Sequence, residues 1–331
     1  MKKLLLGATL LLAGSTAFAQ QDPQFTQTYF NRLYANPAVA GSNDGICATL
    51  VGRQQWVGFD GRPETYQFSG HMSFKDPWLG QKHGAGLVVS SDQLGQESTM
   101  NVKVSYAYRH KLGNNGGMIS AGFALGMMQK TIGNDWNAVD NFVDDPSIPD
   151  NGVQQTAFDM DFGLYYKVPK KFYVGLSLTH ITSPDLEESE GPQVPGAQPI
   201  DFGYGVAGHF YAMAGYQYNV TNDIALKPNV FIKSDAVSTT FDLGVIGEYQ
   251  EKFWAGVTYR LQDAVAPMAG VNLQMPGTGV GGGKLRVGYS YDVTTSELRN
   301  HSSGSHEILV NYCFSLGTKV KVQRHHTVRW L

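Results

Sequence analysis

The 331-residue chain has 16% charged residues, a formal net charge of −3, 39 glycines, 17 tyrosines and 17 phenylalanines. Soluble domains carry roughly 25% charge, and this chain has no basic block of the kind that binds nucleic acid. Its mean hydropathy is −0.23, and past the first twenty residues no apolar run nears the ~18 residues of a membrane-crossing helix, which excludes helical membrane proteins and leaves a transmembrane β-barrel or a secreted β-sandwich or propeller.

The chain opens MKKLLLGATLLLAGSTAFAQ. Lys2 and Lys3 form a positive start, Leu4 to Leu12 an apolar stretch, and Ala17-Phe18-Ala19 a small-x-small cleavage site. Residues 1–19 therefore read as a secretory signal peptide. Cleavage after Ala19 removes two lysines and moves the net charge to −5. No cysteine sits at the cleavage point, where Gln20 follows Ala19, so a lipid anchor is not expected.

Residues 20–44 show neither strand alternation nor a long helical period. Phe25, Tyr29, Phe30 and Tyr34 make this stretch richer in aromatics than a free leader. It is expected to pack into or beneath the following domain, as a plug or as a periplasmic docking piece.

From residue 45 a period of two takes over. YQFSGHMSFK puts Tyr66, Phe68, Met72 and Phe74 on one face and Gln67, Ser69, His71 and Lys75 on the other. VKVSYAYR separates Val102, Val104, Tyr106 and Tyr108 from Lys103, Ser105 and Arg109. FDMDFGLYYK separates Phe158, Met160, Phe162 and Leu164 from Asp159, Asp161 and Lys167. A soluble sandwich would bury Val, Ile and Leu, whereas Tyr and Phe crowding the strand ends suit the aromatic girdles of an outer-membrane barrel.

Fourteen segments follow the pattern: 45–56, 64–75, 82–91, 98–112, 116–130, 156–168, 171–181, 203–219, 222–234, 238–249, 252–261, 265–275, 283–293 and 305–318. The fold class is all-β, a transmembrane antiparallel barrel of about 14 strands over residues 45–318. An even count puts both ends in the periplasm. Gly113–Asn115, Pro169-Lys170, Val220-Thr221 and Gln250-Glu251 then fit as periplasmic turns, and Thr131–Gln155, Thr182–Phe202 and Thr294–Gly304 as longer external loops. The spacers Asp76–Gln81 and Pro276–Gly282 are periplasmic in this phase but not tight. GTGVGGG, Gly277 to Gly283, reads as a turn, since no helix follows to cradle a phosphate.

The lumen face is expected to carry Arg53, His71, Lys75, Lys103, Arg109, Asp159, Asp161, Asp242, Glu248, Arg260, Lys284, Arg286, Asp292 and Glu307. Charge belongs there because the lipid face cannot hold it. A packed ion-pair network and an open pore or peptide-accepting cavity both remain compatible with this face. Fourteen strands fall between a side-chain-filled small barrel and an open porin, so size does not choose between them.

Cys47 and Cys313 fall on the first and last strands, both on the lumen face by alternation. Two readings stay open: a disulfide closing the seam, which an oxidising route permits, or two buried thiols held apart by the register. Two cysteines cannot make a structural zinc site.

Asp135, Asp140, Asp144, Asp145 and Asp150 crowd one external loop. Calcium suits such oxygen donors, but EF-hand spacing is absent and acidic turn residues are common beside Pro and Gly. This loop, and the one carrying Glu187 and Glu188, are the expected partner-contact surfaces. Asp292, Ser296, Glu297, His301, Ser305, His306 and Glu307 resemble a hydrolase set only by composition. They lie around a hairpin tip, where nothing in the sequence orients a base toward a nucleophile. The tail 319–331 brings Lys319, Lys321, Arg324 and Arg329, either a solvated basic end or a docking strip for an acidic periplasmic partner. His325-His326 is too short a pair to make a metal site, and neither cofactor nor metal is expected.

The hairpin YSYDVTTSELRNHSSGSHEILVNYCF resembles the C-terminal signature of the PorP/SprF family of outer-membrane proteins, part of the type IX secretion system of the Bacteroidota. DPQFTQTYFNRLYANPAVAGS, RQQWVGFDGRPETYQFSGHMSF, FDMDFGLYYKVPKKFYVGLSLTHIT and TVRWL are similar to its other landmarks, from Asp22 to Leu331. The resemblance implies a barrel without catalytic activity in the outer membrane. It also implies a role in secreting or retaining cargo with a type B C-terminal domain, such as gliding adhesins. The partners it implies are periplasmic machine components and a peptidoglycan-binding protein. A passive channel for small or hydrophobic solutes is the alternative function.

Overall fold

A chain whose every second residue faces lipid must satisfy its backbone hydrogen bonds within a closed sheet, because the bilayer core supplies no water to do so. The computed structural model describes residues 22–76, 82–113, 116–133, 153–183, 185–190, 200–276 and 282–315. The first half of the wall is β1 (Gly45–Gln54), β2 (Glu64–Lys75), β3 (Lys82–Leu94), β4 (Glu97–Leu112), β5 (Gly117–Ile132), β6 (Val153–Val168) and β7 (Phe172–Thr179). A hairpin of β8 (Asp185–Glu190) and β9 (Ile200–Gly205) forms a separate two-stranded sheet, with β8 against β6. The wall resumes with β10 (His209–Tyr216), β11 (Tyr218–Asn219), β12 (Ile224–Ser234), β13 (Thr239–Tyr249), β14 (Phe253–Arg260), β15 (Ala264–Met275), β16 (Gly283–Thr294) and β17 (Ser305–Ser315).

Each wall strand pairs antiparallel with its neighbours, β10 bridges β7 to β12, and β1 meets β17, giving a closed barrel of 14 strands. The short β11 continues the line of β10 along β12. No helix of the described residues is long and apolar enough to cross a membrane. The burial pattern inverts that of a soluble domain: Leu50, Val104 and Met127 are 56–60% exposed on the outer face. Arg53, Asp159 and Glu307 are 0–2% exposed on the inner one. Charge inside and hydrocarbon outside is the arrangement that a lipid solvent selects.

The turns β13–β14 and β6–β7 lie at the barrel end where β1 begins, here called the terminal end. Gln250 and Glu251 take φ of 52° and 56°, and the N–H of Lys252 donates to the carbonyl of Tyr249 at 2.9 Å. That is a type I′ turn, whose twist matches the flanking strands. The opposite, loop end is less uniformly open than expected. β3 passes to β4 through Gly95 and Gln96 alone, and β14 to β15 through 261–263, so several connections there are also tight.

One expected strand is corrected. The segment 203–219 does not run as a single wall strand: 200–205 pairs with 185–190 in the β8–β9 hairpin, and the wall strand begins at His209. Phe202, Tyr204, Val206, Phe210, Ala212, Ala214 and Tyr216 all fall on even positions. The alternation therefore continues through the break at 206–208 and conceals it.

The seam joins β1 to β17 over ten residue pairs, from Gly45 opposite Ser315 to Gln54 opposite His306. Cys47 stands directly opposite Cys313, and a disulfide joins them. The bond links positions 266 residues apart. Changing both cysteines to serine is expected to lower stability by roughly 2–4 kcal/mol, because the unfolded chain regains the freedom of one large loop. Heat-modifiable gel migration in detergent reads the effect as an earlier unfolding midpoint. An unchanged midpoint would mean that the seam's ladder alone sets the barrier.

Candidate functional site in the lumen

Residues 22–44 thread the barrel from the loop end to the terminal end. Asp22 sits by His180, just past β7, and by His209, which opens β10. Lower down, a one-turn helix, Arg32–Ala35, leads into a 3-10 turn, Pro37–Val39. Asp44 reaches the terminal end beside Lys82 and Arg109, and β1 starts there.

Two charged clusters grip the upper part. In the first, Arg53 pairs with Asp292 at 2.8 Å and Glu307 at 3.3 Å, and Arg260 with Asp242 at 3.0 Å and Asp292 at 3.2 Å. The segment completes this cluster. The backbone N–H groups of Thr26 and Gln27 donate to Glu307 at 2.7 and 2.8 Å. The Thr26 hydroxyl donates to Asp292 at 2.8 Å, and Arg260 donates to the carbonyl of Phe25 at 3.2 Å. Charges this deep are costly unless paired, and Arg53 Nε is the one atom of the cluster's two guanidinium groups found buried without a hydrogen-bond partner. In the second cluster, Lys103 pairs with Asp159 and Asp161, both at 2.8 Å. His180 lies 2.7 Å from Asp159 and 2.8 Å from Asp22, and Tyr211 donates to Asp22 at 2.6 Å.

Aromatic packing holds the middle. Phe25 meets Tyr34 edge-on at 5.0 Å, Phe30 lies 4.8 Å from Trp254, and Tyr29 lies 5.9 Å from Tyr173. The Arg32 guanidinium sits 4.3 Å above the Tyr173 ring and donates to the Tyr165 hydroxyl at 2.8 Å. The Arg286 guanidinium sits over the Phe30 ring at 4.2 Å. Cations over aromatic faces are strongest where water is excluded. Asn36 then ties the turn to the wall, donating to the carbonyls of Leu164 and Leu176 at 3.0 and 3.1 Å while its own oxygen accepts from the N–H of Ala38 at 2.9 Å.

The terminal mouth has a different electrostatic character. A cavity of about 380 Å³ is lined by Lys75, Lys82, Arg109, Lys111 and Lys167, with Asp44 the one carboxylate among its lining residues. A second, of about 270 Å³, is lined by Arg32, Lys227, Lys284 and Arg286 beside His71. Burial opposes the Asp44 charge, yet Lys82 and Arg109 hold its carboxyl below the usual carboxylate range. The upper clusters thus hold six carboxylates, Asp22, Asp159, Asp161, Asp242, Asp292 and Glu307, against Arg53, Arg260, Lys103 and His180, whereas the lower mouth is basic.

Residues 17–312 match the family described as type IX secretion system membrane protein PorP/SprF. The chain belongs to the PorP/SprF family. No curated protein matches the sequence. Among solved structures, this PorP/SprF barrel is similar to the Ralstonia pickettii toluene transporter TbuX. The two share 13% identity over 86% of this chain and 93% of that one, with a TM-score of 0.52. A Pseudomonas aeruginosa FadL homologue is similar at 11% identity over 90% and 95%, with a TM-score of 0.50. At such identity the likeness concerns the fold alone. Fold and family together place the PorP/SprF barrel in the outer membrane.

The structure gathers the expected lumen residues unevenly. Arg53, Arg260, Asp242, Asp292 and Glu307 form one cluster and Lys103, Asp159 and Asp161 another, while Arg109 stands with Asp44 at the terminal mouth. Glu248 pairs with Lys227 at 2.9 Å, and Arg286 donates to Asn272 at 2.9 Å. Lys130, Lys227 and Lys233 were not among the expected lumen set. All three lie on the inward phase of β5 and β12, where Pro228 interrupts the reading of the latter. Asp22, Thr26 and Gln27 have no periodic signal at all. Glu187 and Glu188 lie on β8. Asp135, Asp140, Asp144, Asp145, Asp150, Lys319, Lys321, Arg324, Arg329 and most of the GTGVGGG turn lie outside the described residues.

The Ser/His loop is more ordered than its sequence suggests. Glu297–Asn300 forms a 3-10 turn, and the N–H of Ser303 donates to the carbonyl of Val57 at 2.7 Å. Its polar groups are not mutually aimed. Ser296 Oγ makes no hydrogen bond, Ser305 Oγ accepts from the N–H of Trp56, and His306 Nδ1 pairs with the Tyr289 hydroxyl at 2.7 Å.

Proposed function

We propose that this barrel is a non-enzymatic adaptor of type IX secretion. It holds one secreted protein with a type B C-terminal domain at its loop end and takes contact from periplasmic machine components at its terminal end. The observation that carries this reading is the threaded lumen. With residues 22–44 tied to the β14–β1 side of the wall by Arg260, Asp292, Glu307 and Arg53, and to β6 and β7 by Asn36, the two mouths remain as surfaces for partners. The basic terminal mouth suits an acidic partner, to which charge complementarity gives fast and selective approach. The loop end, with the β8–β9 hairpin and the acidic loops, is the side offered to cargo.

The alternative is a passive channel for small or hydrophobic solutes, a reading that draws on the fold shared with a toluene transporter. It requires a path past residues 22–44. Affinity purification from native outer membrane, followed by mass spectrometry, separates the two. The adaptor reading expects a large type B C-terminal-domain protein and periplasmic components to be recovered with the barrel. A barrel recovered alone that carries steady current in planar bilayers would instead make it a channel.

A further inference from the structure

At the loop end of the lumen, three side chains from distant parts of the chain turn ligand atoms toward one point. They are Asp22, His180 and His209, whose donor atoms all lie within 4.8 Å of one another. Both histidines are 2% exposed. Neither stands in a metal-like spacing in the sequence, and only the threading of the N-terminal segment brings Asp22 to them.

Each donor is aimed by a second group. His209 Nδ1 lies 2.9 Å from the carbonyl of Ala207. A carbonyl only accepts, so the proton sits on Nδ1 and Nε2 carries the lone pair. Nε2 accepts from the backbone N–H of Asp22 at 3.2 Å, so the ring already holds the tautomer that metal ligation requires. His180 presents Nε2 to Asp22 Oδ1 at 2.8 Å and backs its Nδ1 against Asp159 at 2.7 Å. The Tyr211 hydroxyl occupies the other Asp22 oxygen at 2.6 Å. Imidazoles held from behind by a carboxylate or a carbonyl are how proteins orient metal ligands.

We propose that Asp22, His180 and His209 bind one divalent transition-metal ion of the zinc class, which clasps the start of the N-terminal segment to the wall at β7 and β10. Two imidazoles and a carboxylate suit zinc and its neighbours rather than calcium or magnesium, which take oxygen donors. Bonds of about 2.0–2.2 Å place tetrahedral ligand atoms roughly 3.3 Å apart. His180 and Asp22 part by about half an ångström to reach that spacing, while His209 closes from a separation of up to 4.8 Å and its Nε2 gives up the Asp22 N–H. The ion takes the place of the proton between His180 Nε2 and Asp22, and His180 keeps its Nδ1 proton toward Asp159. Lys103 and Lys233 bring positive charge nearby, through Asp159 and through the Asp22 carbonyl, both at 2.8 Å. Asp159 and Asp161 offset them, and water completes the fourth position.

The test uses the untagged full-length barrel in detergent, stripped with a chelator and dialysed against cobalt(II) as the probe. One cobalt per chain is expected, with the visible absorption of a tetrahedral site, bleached by added zinc. His209→Gln and Asp22→Asn are each expected to abolish this uptake, and Tyr211→Phe to weaken it by about tenfold. Heat-modifiable migration checks that every variant remains a barrel, and Asp22→Asn lies outside the wall strands altogether. Cobalt held below one per chain by the parent protein, or uptake unchanged in His209→Gln and Asp22→Asn, overturns the proposal.

Discussion

Arg53→Met is expected to destabilise the barrel by about 3–5 kcal/mol, the cost of leaving buried charge without its partner. Arg53 is 2% exposed and lies between Asp292 and Glu307. Methionine keeps the aliphatic stem and removes the cation. Asp292 retains Arg260, but Glu307 is left with the N–H groups of Thr26 and Gln27 as its remaining backbone donors. Two carboxylates that repel each other then flank the segment, and residues 25–27 lose one of their ties to the wall, the Arg53 hydrogen bond to the Thr26 hydroxyl at 2.9 Å. The expected readouts are an earlier unfolding midpoint in urea and faster proteolysis near Phe25. Arg53→Met combined with Glu307→Gln is expected to recover part of the loss, because the pair is then removed together and no lone charge remains. A single variant within about 1 kcal/mol of the parent protein would mean that the cluster is hydrated rather than packed.

The wall was legible because lipid outside and charge inside impose a period of two, and that pattern needs no knowledge of partners. Strand starts such as Gly45, Glu64, Lys82 and Gly283 agree with the alternation, as do the inward Arg53, Asp159 and Glu307. Alternation also turns Cys47 and Cys313 to the lumen, but it says nothing of register. Whether the two stand opposite each other depends on how the last strand slides along the first, and only the closed sheet decides it. The hairpin at 185–205 escaped because DLEESE has no apolar face and its partner continues the period of β10. The segment 22–44 was marked by its aromatics, yet its route was hidden. Its contacts run over sequence separations as large as 281 residues, as between Thr26 and Glu307, and no local pattern encodes them. The Asp22, His180 and His209 cluster was invisible for the same reason.

Valine at Gly84 or Gly122 is expected to drive the N-terminal segment out of the lumen and leave the wall standing. A Cβ on Gly84 would lie 2.1 Å from the carbonyl oxygen of Ala40 and 2.4 Å from its carbon. On Gly122 it would lie 2.6 Å from the Cα and the nitrogen of Ala38. These neighbours are main chain, so they cannot yield by turning a rotamer. Valine itself suits a strand, so β3 and β5 tolerate it and the threaded segment must move. Overpacking costs about 1–3 kcal/mol at each site. Combining the two should add further, unless relief at one site already frees the other. Gly52→Ala supplies the control, since its Cβ meets nothing nearer than the Tyr66 ring at 3.6 Å on the lipid face. In planar bilayers the parent protein and Gly52→Ala are expected to stay closed. Gly84→Val and Gly122→Val are expected to conduct and to expose residues 22–44 to protease. Equal, low conductance in all four would mean that the wall bends around the new side chains. Conductance already high in the parent protein would remove the reason for reading the barrel as an adaptor. If the opened variants still bring cargo with them, the mouths alone recognise it. If they lose it, the threaded segment is part of the surface that cargo reads.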